Sequence, residues 1–422
     1  MKHIKLASII ILGLLPLASV TSAEEIHKVR KVSAIVSLLE ESGFEAFVLT
    51  GRDPKRVVVV SPAMVGRVMA TGLDGVDGGT DSWIYEEQIK KGATTSGPGG
   101  QWAAFGGDER IWYAPEGGQF ALFFPSEQQN MEDYLVPEVL NSTRYRLTEL
   151  AADGRSIRFA APIHLKNIKG TEYDLEVTRR IEVLDDCPYT VGHGDAVEFT
   201  GFESRTWTRN TGDEPITKER GALATWTVGM FPSYPRSIVV LPYRVGPESE
   251  LGPAVNTEYF NTDMIPTDKA LGDKPYDNYW AVKDNFALVK TNGNVHTKIE
   301  MGPKRSLGRA ASIDLEHDTL TILEFRQYPE MDYTASYWLP YDGDPHEGAA
   351  ISIFSLAGDL GVPPFHELEC LSPTLLLDPG QQYCHISRTY RLRGDKDAIA
   401  EICRRYFHAD MESLREFDRN AP

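Results

Sequence analysis

Cysteine is scarce in this chain: four residues in 422, Cys187, Cys370, Cys384 and Cys403, none of them in C-x-x-C spacing. That excludes a zinc finger, a redox dithiol and a dense disulfide framework. Basic residues are in deficit, with 43 Lys+Arg against 61 Asp+Glu and a formal charge of −18. A nucleic-acid backbone or an anionic membrane surface needs clustered Lys and Arg to replace its counterions, so neither is an expected partner. After the first twenty residues no stretch approaches the ~20 apolar residues of a membrane span. The sequence has no G-x-S-x-G, no Walker loop, no dinucleotide fingerprint and no H-E-x-x-H, so it implies no cofactor and no metal, and serine-hydrolase or nucleotide-driven chemistry has no support.

A hydrophobic fraction of 41% and a charged fraction of 25% are those of a folded protein with a sizeable core. Lys2 and Lys5 precede an apolar run from Leu6 to Val20 and a small-residue end, Thr21-Ser22-Ala23. This pattern is that of a cleavable export signal over residues 1–23, with a periplasmic or secreted destination. Its removal leaves 41 basic and 61 acidic residues, a net −20. Export permits disulfides. Cys370 and Cys384 flank the turn Asp378-Pro379-Gly380, so a bridge across a hairpin is one expectation and free buried thiols are the other.

Val32, Ile35, Val36, Leu38 and Leu39 recur at helical spacing and Gly43 stops them. Beyond this point short alternating or β-branched runs dominate, among them 46–50, 56–60, 66–71, 119–124, 145–149, 156–160, 173–184, 196–202, 222–230, 237–243, 295–301, 319–326, 366–371 and 384–392. Turn residues such as Asp153-Gly154 and Asn292-Gly293-Asn294 separate them. An amphipathic helix over 395–407 closes the chain. With no fixed-period repeat and no linker, the expectation is one large antiparallel β-sandwich over residues 24–422, mainly β, with short N- and C-terminal helices.

The segment Phe365-His366-Glu367-Leu368-Glu369-Cys370-Leu371 carries the most chemistry. Alternate side chains of a strand share a face, so Glu367 and Glu369 point together and away from His366, Leu368 and Cys370. Paired carboxylates raise the pKa of one member, which yields a neutral acid beside a base; a solvent-facing edge strand reads the same way from spacing alone. The loop 342–348 gathers oxygen and nitrogen ligands in Asp344, His346 and Glu347, without calcium or zinc spacing, and reads as a polar turn.

Glu369 is followed by Ser372-Pro373, then by Leu377-Asp378-Pro379-Gly380-Gln381-Gln382-Tyr383 and a last strand. This order resembles the C-terminal end of the galactose mutarotase-like superfamily, in which a glutamate strand precedes an "LxPGexY" block. The stretch Phe105-Gly106-Gly107-Asp108-Glu109-Arg110-Ile111-Trp112-Tyr113-Ala114-Pro115-Glu116-Gly117-Gly118-Gln119-Phe120 resembles the "FGGEDRxWxxPEGGQF" block of a family of unknown function, made of exported bacterial proteins within that superfamily. The resemblance implies a β-supersandwich, a carbohydrate-related role of epimerase or mutarotase type, and Glu369 as the general base.

The expected catalytic residues are therefore Glu369, Glu367 and Glu203, with Arg110, Trp112, Asp108, Glu109 and Lys298 binding substrate. Arg offers a fork of donors, and Trp a face for a pyranose ring. The Gly106-Gly107 pair permits a tight bend or a close approach of backbone to ligand. The expected partner is a mono- or oligosaccharide, an acidic sugar being within reach of Arg110. The histidines that serve as acid in characterised mutarotases are missing here at 104–107 and 201–204, so Glu203, Lys298, His346 and His366 are the replacement acids to weigh. A glycan-cleaving hydrolase or lyase, or a non-catalytic sugar-binding protein, stands as the alternative.

Overall fold

The computed structural model describes residues 30–92, 105–130, 133–257, 278–336, 343–358 and 362–421; the export signal over 1–23 lies outside them. The chain begins with β1 (Arg30–Lys31), α1 (Val32–Glu41), β2 (Phe47–Thr50), β3 (Val57–Ser61), β4 (Arg67–Gly72), β5 (Gly79–Thr80), α2 (Glu86–Lys91) and β6 (Arg110–Ala114). Next come α3 (Val139–Ser142), β7 (Arg146–Leu150), β8 (Ser156–Lys166), β9 (Glu172–Val183), β10 (Val197–Asn210), β11 (Ala224–Pro232), β12 (Ser237–Pro242) and α4 (Glu248–Leu251). The last part holds β13 (Trp280–Val282), β14 (Phe286–Lys290), β15 (Thr297–Met301), β16 (Arg309–Asp314), β17 (Thr319–Phe325) and β18 (Ile351–Leu356). It closes with β19 (Phe365–Leu371), β20 (Gln382–Gly394), α5 (Lys396–Phe407) and α6 (Met411–Asn420).

The protein is mainly β and its paired strands run antiparallel. A ten-stranded sheet in the order β13-β14-β12-β16-β17-β20-β10-β9-β8-β7 packs on a five-stranded sheet in the order β15-β18-β19-β11-β6. One apolar core lies between them, with Val177, Phe202 and Leu323 from the large sheet meeting Ile111, Ile353 and Leu368 from the small one. A second core forms where α5 and α6 lay Ile399, Ile402, Phe407 and Leu414 over Ile238, Leu288, Ile313 and Leu392 on the outer side of the large sheet. This explains two strand textures. β12 is covered on both faces and reads as a continuous apolar run, whereas β8 and β9 have one bare face and alternate. A third, smaller core joins α1 to the sheet β2-β3-β4.

Two expectations are corrected. The run Gln119–Phe124 forms no strand; it is a loop whose Phe123 packs 5.3 Å from Trp112 and 6.4 Å from Trp226. Its apolar character comes from burial beneath those rings, not from sheet pairing. The Cys370–Cys384 bridge does not form, and all four cysteines are free. Cys370 lies on the five-stranded sheet and Cys384 on the ten-stranded one, where strand parity turns His385, not Cys384, inward to 3.5 Å from the Cys370 sulfur.

Candidate functional site

Strand register assembles the site. Across the five-stranded sheet Arg110 stands opposite Val228, Val228 opposite Glu369, Glu369 opposite Ser352, and Ser352 opposite Glu300. In the neighbouring row Met230 stands opposite Glu367, Glu367 opposite Phe354, and Phe354 opposite Lys298. Trp226 stands opposite Trp112. Cross-strand partners share a face, so Arg110, Trp112, Glu367, Glu369 and Lys298 all belong to the face turned away from the large sheet, as the alternation in 365–371 requires. His366 belongs to the other face.

Glu369 is 1% exposed. Its Oε2 accepts the indole N–H of Trp226 at 2.9 Å and lies 3.6 Å from the Lys298 ammonium. Lys298 sits 5.0 Å from the Trp226 ring, donates to the Ser336 carbonyl at 3.2 Å and is 4.0 Å from Glu300. Burial alone would depress the Lys298 pKa, but the Glu369, Glu116 and Glu300 carboxylates hold it above its ordinary value. The ammonium therefore stays charged beside the Glu369 carboxyl. Two residues along β19, Glu367 meets Arg110 at 3.2 Å, and the Arg110 guanidinium lies 4.0 Å over the Trp112 ring. Burial pushes the Glu367 carboxyl up; the Arg110 charge opposes this and the Glu369 charge reinforces it.

Glu116, which the sequence reading passed over, completes the cluster. It is 5% exposed and takes a 2.6 Å hydrogen bond from the Tyr134 hydroxyl. Burial pushes its carboxyl up to about 7, with Lys298 opposing and the charges of Glu369 and Glu367 adding to the rise. Glu300 is the other unannounced member: burial raises its pKa against the pull of Lys298, and its signal was the Lys-x-Glu alternation that puts it on the Lys298 face. Glu116 has no such periodic signal because it stands in a loop.

Three expected residues are elsewhere. Asp108 accepts from Thr71 at 2.8 Å, Ser82 at 3.0 Å and Arg391 at 2.9 Å. Glu109 pairs with Arg179 and accepts from Ser387 at 2.9 Å. Both carboxylates tie the sheets together inside the molecule. Glu203 points to the outer face of the ten-stranded sheet, where Arg205 holds it at 2.5 Å and Arg388 at 2.8 Å; its neighbours Ser204 and Thr206 take the inward face and meet Arg179. His366 is walled in by desolvation, which lowers its pKa to about 3, so it is no general acid near neutrality. The Gly106-Gly107 pair serves a close approach to protein, not ligand: at φ 90° and 104°, a Cβ would come within 2.1 Å of the Trp83 carbonyl oxygen and 2.7 Å of that of Val68.

A profile of a family of unknown function, DUF6786, matches residues 33–417. The chain belongs to that family. No curated protein matches it. Among solved structures this DUF6786 member is similar to a putative aldose 1-epimerase from Escherichia coli K12, at 13% identity and TM-score 0.45, over 84% of this chain and 100% of that one. It is also similar to a galactose mutarotase-like protein from Lactobacillus casei, at 9% identity and TM-score 0.47, over 82% and 99%. A third similar structure is a galactose mutarotase related enzyme from Lactobacillus acidophilus, at 10% identity and TM-score 0.39, over 82% and 97%.

Proposed function

We propose that this DUF6786 protein is an exported, carbohydrate-active protein that moves a proton at the anomeric centre of an aldose, in the manner of an epimerase or mutarotase. The observation that carries the reading is the pairing, on one sheet face, of a carboxylate held beside an ammonium with carboxyls that burial makes weak acids. Glu369, with Lys298 at 3.6 Å, takes the proton of the anomeric hydroxyl. A neutral Glu367 or Glu116 gives a proton to the ring oxygen, filling the place of the missing histidine acid. The ring C–O bond breaks as the carbonyl forms, the aldehyde end turns, and re-addition with the reverse proton transfers gives the other anomer. Trp112 and Trp226, ring centroids 5.5 Å apart, offer apolar surface to the sugar ring.

Among the described residues four carboxyls, Glu116, Glu300, Glu367 and Glu369, surround two cations, Arg110 and Lys298. That balance favours a neutral aldose over an acidic one. A second reading, sugar binding without turnover, draws on the internal partners that both β19 glutamates already have, Lys298 and Arg110.

Exchange spectroscopy by NMR on glucose, galactose and galacturonate tests the proposal. Faster anomeric exchange of a neutral hexose supports it; spontaneous rates for every sugar that binds would leave the non-catalytic reading.

A further inference from the structure

At the end of edge strand β15, beside α4, lies a cleft of about 900 Å³ lined by segments 248–257, 300–304, 329–333 and 346–349. We infer that this cleft binds an aminated carbohydrate. Among the described residues its lining carries six carboxyls, Glu300, Glu330 and Glu347 among them, against one ammonium, Lys304. Acidity alone would attract any cation. Two buried side chains add the independent argument.

Glu300 is 1% exposed, and its Oε1 is held by the Ser336 and Ser352 hydroxyls at 2.9 and 3.3 Å, while Oε2 has no hydrogen-bond partner. His346 is 7% exposed; its Nε2 lies 3.4 Å from the Lys218 carbonyl oxygen and so carries the proton, and Nδ1 is a bare acceptor without a partner. An unsatisfied buried polar atom is costly, and a ligand that supplies a donor recovers that cost. The cleft thus wants a ligand rich in N–H and O–H donors and positive in charge. Its volume is within the range of sites for drug-sized ligands, ~300–1,000 Å³, enough for a disaccharide. Asp332 already pairs with Lys218. Of the exposed rim carboxyls Glu248, Glu250, Glu330 and Glu347, the last two belong to the segments bridged at Tyr333 and Glu347 beside His346, so the ammonium falls to them and the hydroxyls to Glu300 and His346. Through Glu300, 4.0 Å from Lys298, the cleft adjoins the anomeric site, but its binding requires no turnover.

Isothermal titration at low salt, on the full chain, compares a glucosamine disaccharide, its N-acetylated counterpart and spermidine. The amine disaccharide should bind about tenfold tighter than either, and E330Q/E347Q, changed only at exposed positions, should reduce that preference below about threefold. Equal binding of the acetylated sugar, equal binding of spermidine, or a preference that survives E330Q/E347Q overturns the inference. Hexose exchange measured on the same preparation keeps this outcome separate from that of the proposed reaction.

Discussion

Glu109 and Glu369 are equally buried, at 1% exposure, and both lie beside a cation, yet their surroundings differ in kind. Every carboxylate oxygen of Glu109 and its neighbour Asp108 has a protein partner: Arg179 and Ser387 for the first, and Thr71, Ser82 and Arg391 for the second. On the opposite face of the small sheet, four carboxyls share two cations, Glu116 and Glu367 are pushed toward the neutral form, and Glu300 Oε2 has no partner. A saturated charge cluster holds sheets together; an unsaturated one leaves polar atoms for a ligand to satisfy. The sequence motif 105–112 serves both clusters, Asp108 and Glu109 the saturated one and Arg110 the other, and only the three-dimensional pairing separates them.

The largest effect should come from breaking the saturated cluster. Arg179→Met leaves Glu109 buried without its cation and should cost about 3–5 kcal/mol in urea unfolding; a cost under about 1 kcal/mol would show that the pair is dispensable. On the other face, Glu116 makes stability depend on pH. Its carboxyl rises from 4.5 to about 7 on folding, so the folded state binds more protons, and stability present below about 4.5 is lost as pH climbs through about 7. That loss is on the order of 3 kcal/mol, and Glu116→Gln should flatten the Tm-against-pH curve over this window. A smaller effect is expected on the rate profile. With Glu367 as acid, turnover falls as pH rises through its raised pKa, and Glu367→Gln should lower kcat while removing that alkaline limb. Least of all, Cys384→Ser should change stability by under about 0.5 kcal/mol, since no disulfide is there to lose.

Most strands were legible because β-branched alternation and turn residues mark them: 173–184 became Glu172–Val183, and 319–326 became Thr319–Phe325. Met411–Asn420 was missed, although Asp410 caps it by accepting from the Ser413 amide at 2.8 Å, because its apolar face is only Leu414 and Phe417. That Glu367, Glu369, Arg110, Trp112 and Lys298 share one sheet face was legible, for the first two from strand parity and for the rest from motif order. Glu203, Asp108 and Glu109 were misplaced because a strand in a sandwich can show charge on either face, and parity alone does not say which face is inward. Glu116 was invisible for the opposite reason: a loop residue has no period, and only folding brings it to Lys298.

The central claim is that Glu369 moves the anomeric proton. The direct test is exchange NMR on the parent and on Glu369→Gln, with the hexose that the parent binds. A loss of about 100-fold or more in the catalysed exchange rate, with sugar affinity kept within about threefold, is the predicted result. Unchanged exchange in Glu369→Gln, in a protein that still binds the sugar, would contradict it.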